Sequence, residues 1–189
     1  MTRLAIFASG EGSNAENIVE YFSDSQGVEV VILVSDNPSA GVHERMKRLG
    51  IPSVVFSKDE FAAEEPVLKK LATYQIDWII LSGFLKKVSG KLLAAYPNHI
   101  VNIHPALLPK YGGKGMYGAR VHEAVVAAGE KESGITIHYI NEKYDEGPAI
   151  FQAKCPVLPT DTAEDVAHKV HTLEYEYFPK VIEQLIQKK

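Results

Sequence analysis

Asn102 and His104 stand two residues apart in IVNIHPALLPKY (100–111), a spacing that puts both side chains on one face of an extended chain. An amide beside an imidazole suits carbonyl chemistry. The Asn N–H can donate to an oxygen that becomes anionic as a carbonyl is attacked, and the His can donate to the same oxygen or move a proton. Pro105 and Pro109 follow at once and stiffen the exit of the chain. The competing reading is a strand end whose polar groups satisfy loop carbonyls.

Two further stretches carry chemistry. YDEGP (144–148) sets Asp145 in a turn stiffened by Gly-Pro, where a carboxylate either orients an imidazole or serves only the turn. In SGEGSN (9–14) the glycines let the backbone approach a ligand, and the N–H groups that open the following helix form an anion site. Ser13 adds a hydroxyl and Asn14 an amide. The pattern is G-x-G-S-N rather than G-x-G-x-x-G, and no Walker lysine follows, so one phosphate group fits better than a dinucleotide or a nucleoside triphosphate. A tight turn capped by Ser or Asn is the alternative. Thr136 and His138 alternate along a later apolar run and share a face, where structural hydrogen bonding is as natural a role as catalysis.

These residues need a scaffold that gathers them. Near-continuous apolar runs at LAIFAS, VEVVILVS, IPSVVF, DWIILS and HIVNIH read as strands covered on both faces. Helical spacing occupies about 15–22, 42–49 (closed by Gly50), 67–74 and 91–96, and such βα alternation predicts a doubly wound, mostly parallel sheet. After a helix near 119–128, SGITIHYI and PAIFQAKCPV read as two strands joined through YDEG. That is too short for a parallel crossover, so they are expected to be antiparallel. A long final helix begins at a box-like Thr162–Asp165, carries Val166, Val170, Leu173 and Tyr177 on one stripe, and is expected to bend at Pro179. In such sheets ligands bind beyond the carboxyl ends of the strands, where Ser9–Asn14 and Asn102–His104 fall.

The 189 residues suit one domain, 1–189. With 46% hydrophobic and 23% charged residues the composition is that of a globular protein, and a net charge of −4 argues against a nucleic-acid platform. A single cysteine, Cys155, allows no intramolecular disulfide and no cysteine zinc cluster, which fits a cytoplasmic setting. No apolar run is long enough for a membrane span, and the N-terminus lacks a signal-peptide pattern.

The order of the motifs, G-x-G-S-N, then N-I-H-P-x-L-L-P, then D-x-G-P, resembles the formyl-folate transferase superfamily, and the early GSN resembles its glycinamide ribonucleotide branch. The resemblance covers essentially the whole chain. It implies a Rossmann-like formyltransferase fold with antiparallel C-terminal strands and a long C-terminal helix. It also implies transfer of the formyl group of 10-formyltetrahydrofolate, a cosubstrate, to the amine of N1-(5-phosphoribosyl)glycinamide in purine synthesis, with no metal. By matched position Asn102, His104 and Asp145 become the catalytic trio, and Gly12, Ser13 and Asn14 the phosphoribosyl loop. Glu174 would hold ribose hydroxyls with His171 beside it, although a solvated helix face is the plainer reading of both. Leu85, Lys86, Lys87 and Val88, within SGFLKKVS (82–89), border the folate together with Asn102. Three stretches depart from the pattern. GGKGMYG (112–118) has no residue-by-residue match, Lys86-Lys87 replaces an Arg-aliphatic pair, and nothing in 57–65 matches the arginine that relatives use near the folate tail.

The partners expected are small molecules, with no nucleic acid and no membrane; monomer and homodimer both stay open. Two other functions stay in view. A formyltetrahydrofolate hydrolase passes the formyl group to water, but its relatives carry an extra N-terminal domain and this chain opens at the first catalytic-domain strand. A non-catalytic nucleotide-binding module accounts for SGEGSN but leaves NIHP and YDEGP without a role.

Overall fold

The computed structural model describes residues 1–88 and 90–188. Among these, seven strands form one sheet in the order β3-β2-β1-β4-β5-β6-β7. The strands β1 (Thr2–Phe7), β2 (Val28–Ser35), β3 (Ser53–Val55), β4 (Trp78–Leu81) and β5 (Ile100–His104) run parallel. β6 (Glu132–Tyr139) pairs antiparallel with β5, and β7 (Ala149–Pro156) antiparallel with β6. The expected doubly wound sheet with an antiparallel end is therefore what forms. The chain winds outward from β1 to β3, then returns to place β4 on the other side of β1, so the carboxyl ends of β1 and β4 flank a topological switch point.

Both faces of the sheet are covered, which explains why its strands read as continuous apolar runs rather than alternating ones. Along β1, Leu4 and Ile6 pack on one side with α1 (Ser13–Phe22), α2 (Val42–Arg48), α6 (Ala119–Ala127) and α7 (Ala163–Gln187). Ala5 and Phe7 pack on the other side, against α4 (Glu65–Thr73) and α5 (Lys91–Ala95). Each fully buried Leu, Ile or Phe in these two layers contributes about 1.5–3 kcal/mol. No helix among the described residues is long and apolar enough to cross a membrane.

Two local expectations need correction and one is extended. A helix unforeseen in the sequence, α3 (Lys58–Ala63), is closed by a capping box in which Ser57 accepts from the Glu60 N–H and Glu60 accepts from the Ser57 N–H. It has no buried residue, so periodicity gave no sign of it, although Ser57-x-x-Glu60 did. The connection from β6 to β7 spans 140–148, with YDEG only its later part. On α7 the buried stripe runs Val166, Val170, Glu174, Phe178 and Ile182, while Leu173 and Tyr177 are only partly buried. The buried stripe thus includes a carboxylate, Glu174, beside the apolar positions. The helix does begin at a capping box between Thr162 and Asp165, and it runs on through Pro179.

Candidate active site

A cavity of about 880 Å³ opens at the carboxyl ends of β1, β4 and β5. Its floor near β1 is the Gly10–Asn14 loop, which leads into α1. Gly12 has φ +74, and a Cβ there would lie 2.2 Å from Cγ2 of Val42, so only glycine fits. Because Gly12 is the N-cap, α1 has no side-chain cap, and its first-turn N–H groups open toward the cavity. The loop is braced from behind by α2: the Val42 N–H donates to the Gly10 carbonyl at 3.1 Å and Arg45 Nε donates to the Glu11 carbonyl at 2.7 Å.

Asn14 joins that loop to α7. Its Nδ2 donates to Oε2 of Glu174 at 2.8 Å, and His171 Nδ1 lies at 2.8 Å from the same oxygen. Glu174 is 5% exposed, which only a paired carboxylate tolerates. The bond to Glu174 holds the His171 imidazole above its usual pKa range. Half-exposed His171 and buried Glu174 both border the cavity.

On β5, Asn102 and His104 face the cavity together. The ring of His138, across the antiparallel pair from Asn102, has Nδ1 at 2.9 Å from the Tyr139 carbonyl and Nε2 at 3.1 Å from Asn102 Nδ2. Burial holds the His138 pKa below the ordinary imidazole range, although the Tyr139 carbonyl and Asp145 pull the other way. A neutral ring that donates from Nδ1 must accept at Nε2, and this fixes which end of the Asn102 amide is the donor. Thr136 takes the structural part: it donates to the Ala106 carbonyl at 2.7 Å and accepts from the Leu108 N–H at 3.0 Å, pinning the HPALLP exit.

His104 is 4% exposed, and its Nε2 donates to the Tyr111 carbonyl at 2.7 Å. That leaves Nδ1, which faces Oδ2 of Asp145 at 3.6 Å. This is an ion-pair distance and too long for a hydrogen bond. The other carboxylate oxygen of Asp145 lies 3.8 Å from His138 Nε2. Asp145 has φ +56, a left-handed conformation that Asp and Asn adopt at least cost, and its Oδ2 accepts from the Gly113 N–H at 2.8 Å. The Gly112–Gly118 stretch is thus tied to the carboxylate and forms part of the cavity wall. A Cβ at Gly112 would lie 2.5 Å from the movable end of Leu108 and 3.2 Å from Cβ of Asp145, so this stretch packs closely on Asp145.

A smaller recess of about 60 Å³ adjoins the cavity and shares Phe84, Asn102, Tyr144 and Asp145 with it. Lys86, Lys87 and Val88 line the recess, whereas Leu85 lines the large cavity. Ser89, the last residue of SGFLKKVS, lies outside the described residues. The segment is fixed through a contact that the motifs did not show. Ser9 Oγ accepts from the Leu85 N–H at 3.0 Å and donates to Asp36 at 2.6 Å, and Lys86 lies 3.7 Å from the same carboxylate. Lys86 is therefore paired with Asp36 at one side of the recess.

The histidines give the fold a pH signature. His122 and His138 are held below the ordinary range mainly by burial, while the unfolded chain binds their protons near pH ~6.5. As pH falls through that value the unfolded state takes up protons that the folded state refuses, so stability falls; above it this contribution is fully present. His171, raised by Glu174, contributes with the opposite sign, adding stability at low pH that is lost as pH rises through its folded value. We expect His138→Gln to show a smaller drop in Tm than the parent between about pH 7.5 and about pH 5.5. An equal drop would show that His138 does not titrate with unfolding.

Residues 2–182 match the sequence pattern of the formyl transferase family. A chloroplastic phosphoribosylglycinamide formyltransferase of Arabidopsis thaliana is 41% identical over 95% of this chain. The chain spans 64% of that relative's own length. Phosphoribosylglycinamide formyltransferase of Bacillus subtilis is 36% identical, over 98% of this chain and 95% of its own. The crystal structure of the Bacillus halodurans phosphoribosylglycinamide formyltransferase superposes with a TM-score of 0.90 at 37% identity, covering 99% of this chain and 96% of that one.

Proposed function

The chain belongs to the formyl transferase family, and we propose that it moves the formyl group of 10-formyltetrahydrofolate to the amine of N1-(5-phosphoribosyl)glycinamide, acting as one formyltransferase unit over 1–189. The observation that carries this reading is the position of Asn102 and Asp145 where the two recesses meet. His104 lies within ion-pair reach of Asp145, and an anion-receptive loop lines the same larger cavity. The ribonucleotide's phosphate sits on the Gly12–Asn14 loop beside His171, whose protonated form Glu174 favours, and Glu174 accepts from its ribose hydroxyls. The folate lies toward Leu85–Val88.

The amine then attacks the formyl carbon on N10. A tetrahedral intermediate forms, its oxygen becomes anionic, and the C–N10 bond breaks as N10 takes a proton. Asn102 donates from Nδ2 and protonated His104 from Nδ1 to the oxyanion, and one such donor is worth about 3–4 kcal/mol. Asp145 stabilises the imidazolium through space and relays the amine proton to N10 through water. Orientation of two bound substrates in one crevice supplies much of the remaining rate.

A hydrolase acting on the same folate has no use for the Gly12–Asn14, His171 and Glu174 wall, which is the physical ground for preferring transfer to the ribonucleotide over transfer to water. Release of tetrahydrofolate from 10-formyltetrahydrofolate, followed by absorbance, tests the choice. Turnover is expected only when the ribonucleotide is present. Equal turnover without it makes water the acceptor, and no turnover in either case rules out folate-dependent transfer to this amine.

A further inference from the structure

Three buried side-chain atoms around the large cavity lack a hydrogen-bond partner among the described residues: Asn14 Oδ1, Ser82 Oγ and His122 Nδ1. A buried polar group without a partner is costly, and at the wall of a cavity it marks where a ligand or an ordered water completes the site. Asn14 is already assigned to the phosphoribosyl loop, and Ser82 opens the folate-bordering segment. His122 belongs to no motif that pointed to function.

His122 is on the first turns of α6, directly after the Gly112–Gly118 stretch, and is 5% exposed. Val121 before it and Val125 one turn on are fully buried in the core, whereas His122 borders the cavity. Its condition is unlike that of the chain's other buried histidines. His104 has a ring nitrogen on the Tyr111 carbonyl and His138 one on the Tyr139 carbonyl. The charged or titratable groups near enough to act on its ring are Glu174, His171 and His104, and all three line the same cavity. His122 therefore shares one cavity with the side chains assigned to the ribose and with the imidazole assigned to the formyl group.

We propose that His122 is a binding residue for the acceptor substrate, its Nδ1 hydrogen-bonding the polar segment between the ribose and the reacting amine. In the proposed substrate that segment is the glycinamide, whose amide and amine offer both donors and acceptors to an imidazole. The inference rests on the acceptor-and-donor reading of the cavity. It also gives that wall a specificity function. Gly12–Asn14 and Glu174 recognise any 5-phosphorylated ribose, while His122 distinguishes one that carries a glycinamide. A residue that is left unpaired when the wrong ligand binds discriminates more strongly than an apolar wall does.

The test compares the intact protein with His122→Leu, which removes both ring nitrogens, and with His122→Gln, which keeps a donor and an acceptor. Steady-state rates give the KM of the ribonucleotide and of 10-formyltetrahydrofolate. D-ribose 5-phosphate, which lacks the glycinamide, serves as a competitive inhibitor. His122→Leu is expected to raise the ribonucleotide KM about tenfold while leaving the folate KM and the ribose 5-phosphate inhibition constant within about twofold, with partial recovery in His122→Gln. An unchanged ribonucleotide KM in His122→Leu, with Tm like that of the parent, overturns the proposal. A parallel rise in all three constants also overturns it, because it marks a structural role.

Calorimetric titration of the ribonucleotide into parent and variant separates this inference from the functional reading. Parent binding without turnover defeats formyl transfer, and His122 then stands or falls on the variant's affinity. Absence of parent binding defeats both.

Discussion

Replacing Asp145 by Asn lowers turnover by about 10²–10³-fold while the ribonucleotide KM changes by less than about twofold. The two halves of this result come from different parts of the site. The binding half is secured at a distance, by the uncapped start of α1 at Gly12 and by the Asn14–Glu174–His171 network, none of which touches Asp145. The turnover half follows from charge. His104 has already given Nε2 to the Tyr111 carbonyl, so Nδ1 alone remains to face the substrate, and Asp145 is the anion 3.6 Å from it. Asn removes that charge and the capacity to relay a proton, yet keeps much else. Its side chain tolerates φ +56, and its carbonyl oxygen still accepts from the Gly113 N–H that now meets Oδ2 at 2.8 Å. Ala at this position would confound lost charge with a freed loop and a strained backbone, so Asn is the informative change. Single-turnover rates with both substrates saturating give the measurement, and a rate within about threefold of the parent removes Asp145 from the proton path.

Much of this geometry was legible in the chain and some was not, for identifiable reasons. The parallel strands were readable because burial on both faces makes them continuous apolar runs, and the antiparallel end because too little chain joins β6 and β7 for a crossover. Asn102, His104 and Asp145 were visible as polar residues where an apolar or turn pattern breaks. The Ser9–Asp36–Leu85 tie had no such mark: Ser9 and Leu85 lie in two motifs read separately, Asp36 in neither, and the link spans 27 positions in one direction and 76 in the other. The burial of Glu174 was not legible because a lone carboxylate on an amphipathic helix reads as part of its solvated face. Its burial is permitted by His171 on the same helix and by Asn14, 160 positions away. His122 was hidden for the opposite reason. It sits on a buried helix face, where a histidine reads as core filling, and only the missing partner of its Nδ1 sets it apart.

Asn102→Ala is expected to lower turnover by about 10²–10³-fold, the usual loss when one oxyanion donor is removed. The direction of the amide makes the expectation specific. Because neutral His138 spends Nδ1 on the Tyr139 carbonyl, its Nε2 accepts from Asn102 Nδ2 at 3.1 Å. The second N–H on that nitrogen is left for the cavity, toward which Asn102 projects. His138 thus acts through Asn102 by holding the amide in its donating orientation. His138→Leu should cost less, about tenfold, because the amide can still reach the oxyanion in a fraction of its orientations. The double variant should be no slower than Asn102→Ala alone, since removing the amide leaves His138 nothing to orient. Additive losses would give His138 an independent contact with the substrate or with Asp145, whose Oδ1 lies 3.8 Å from Nε2. The backbone of residue 102 keeps its place between Leu81 and His138 in the sheet whichever side chain it carries. Measuring Tm for the parent and all three variants alongside the rates separates the chemistry from the fold.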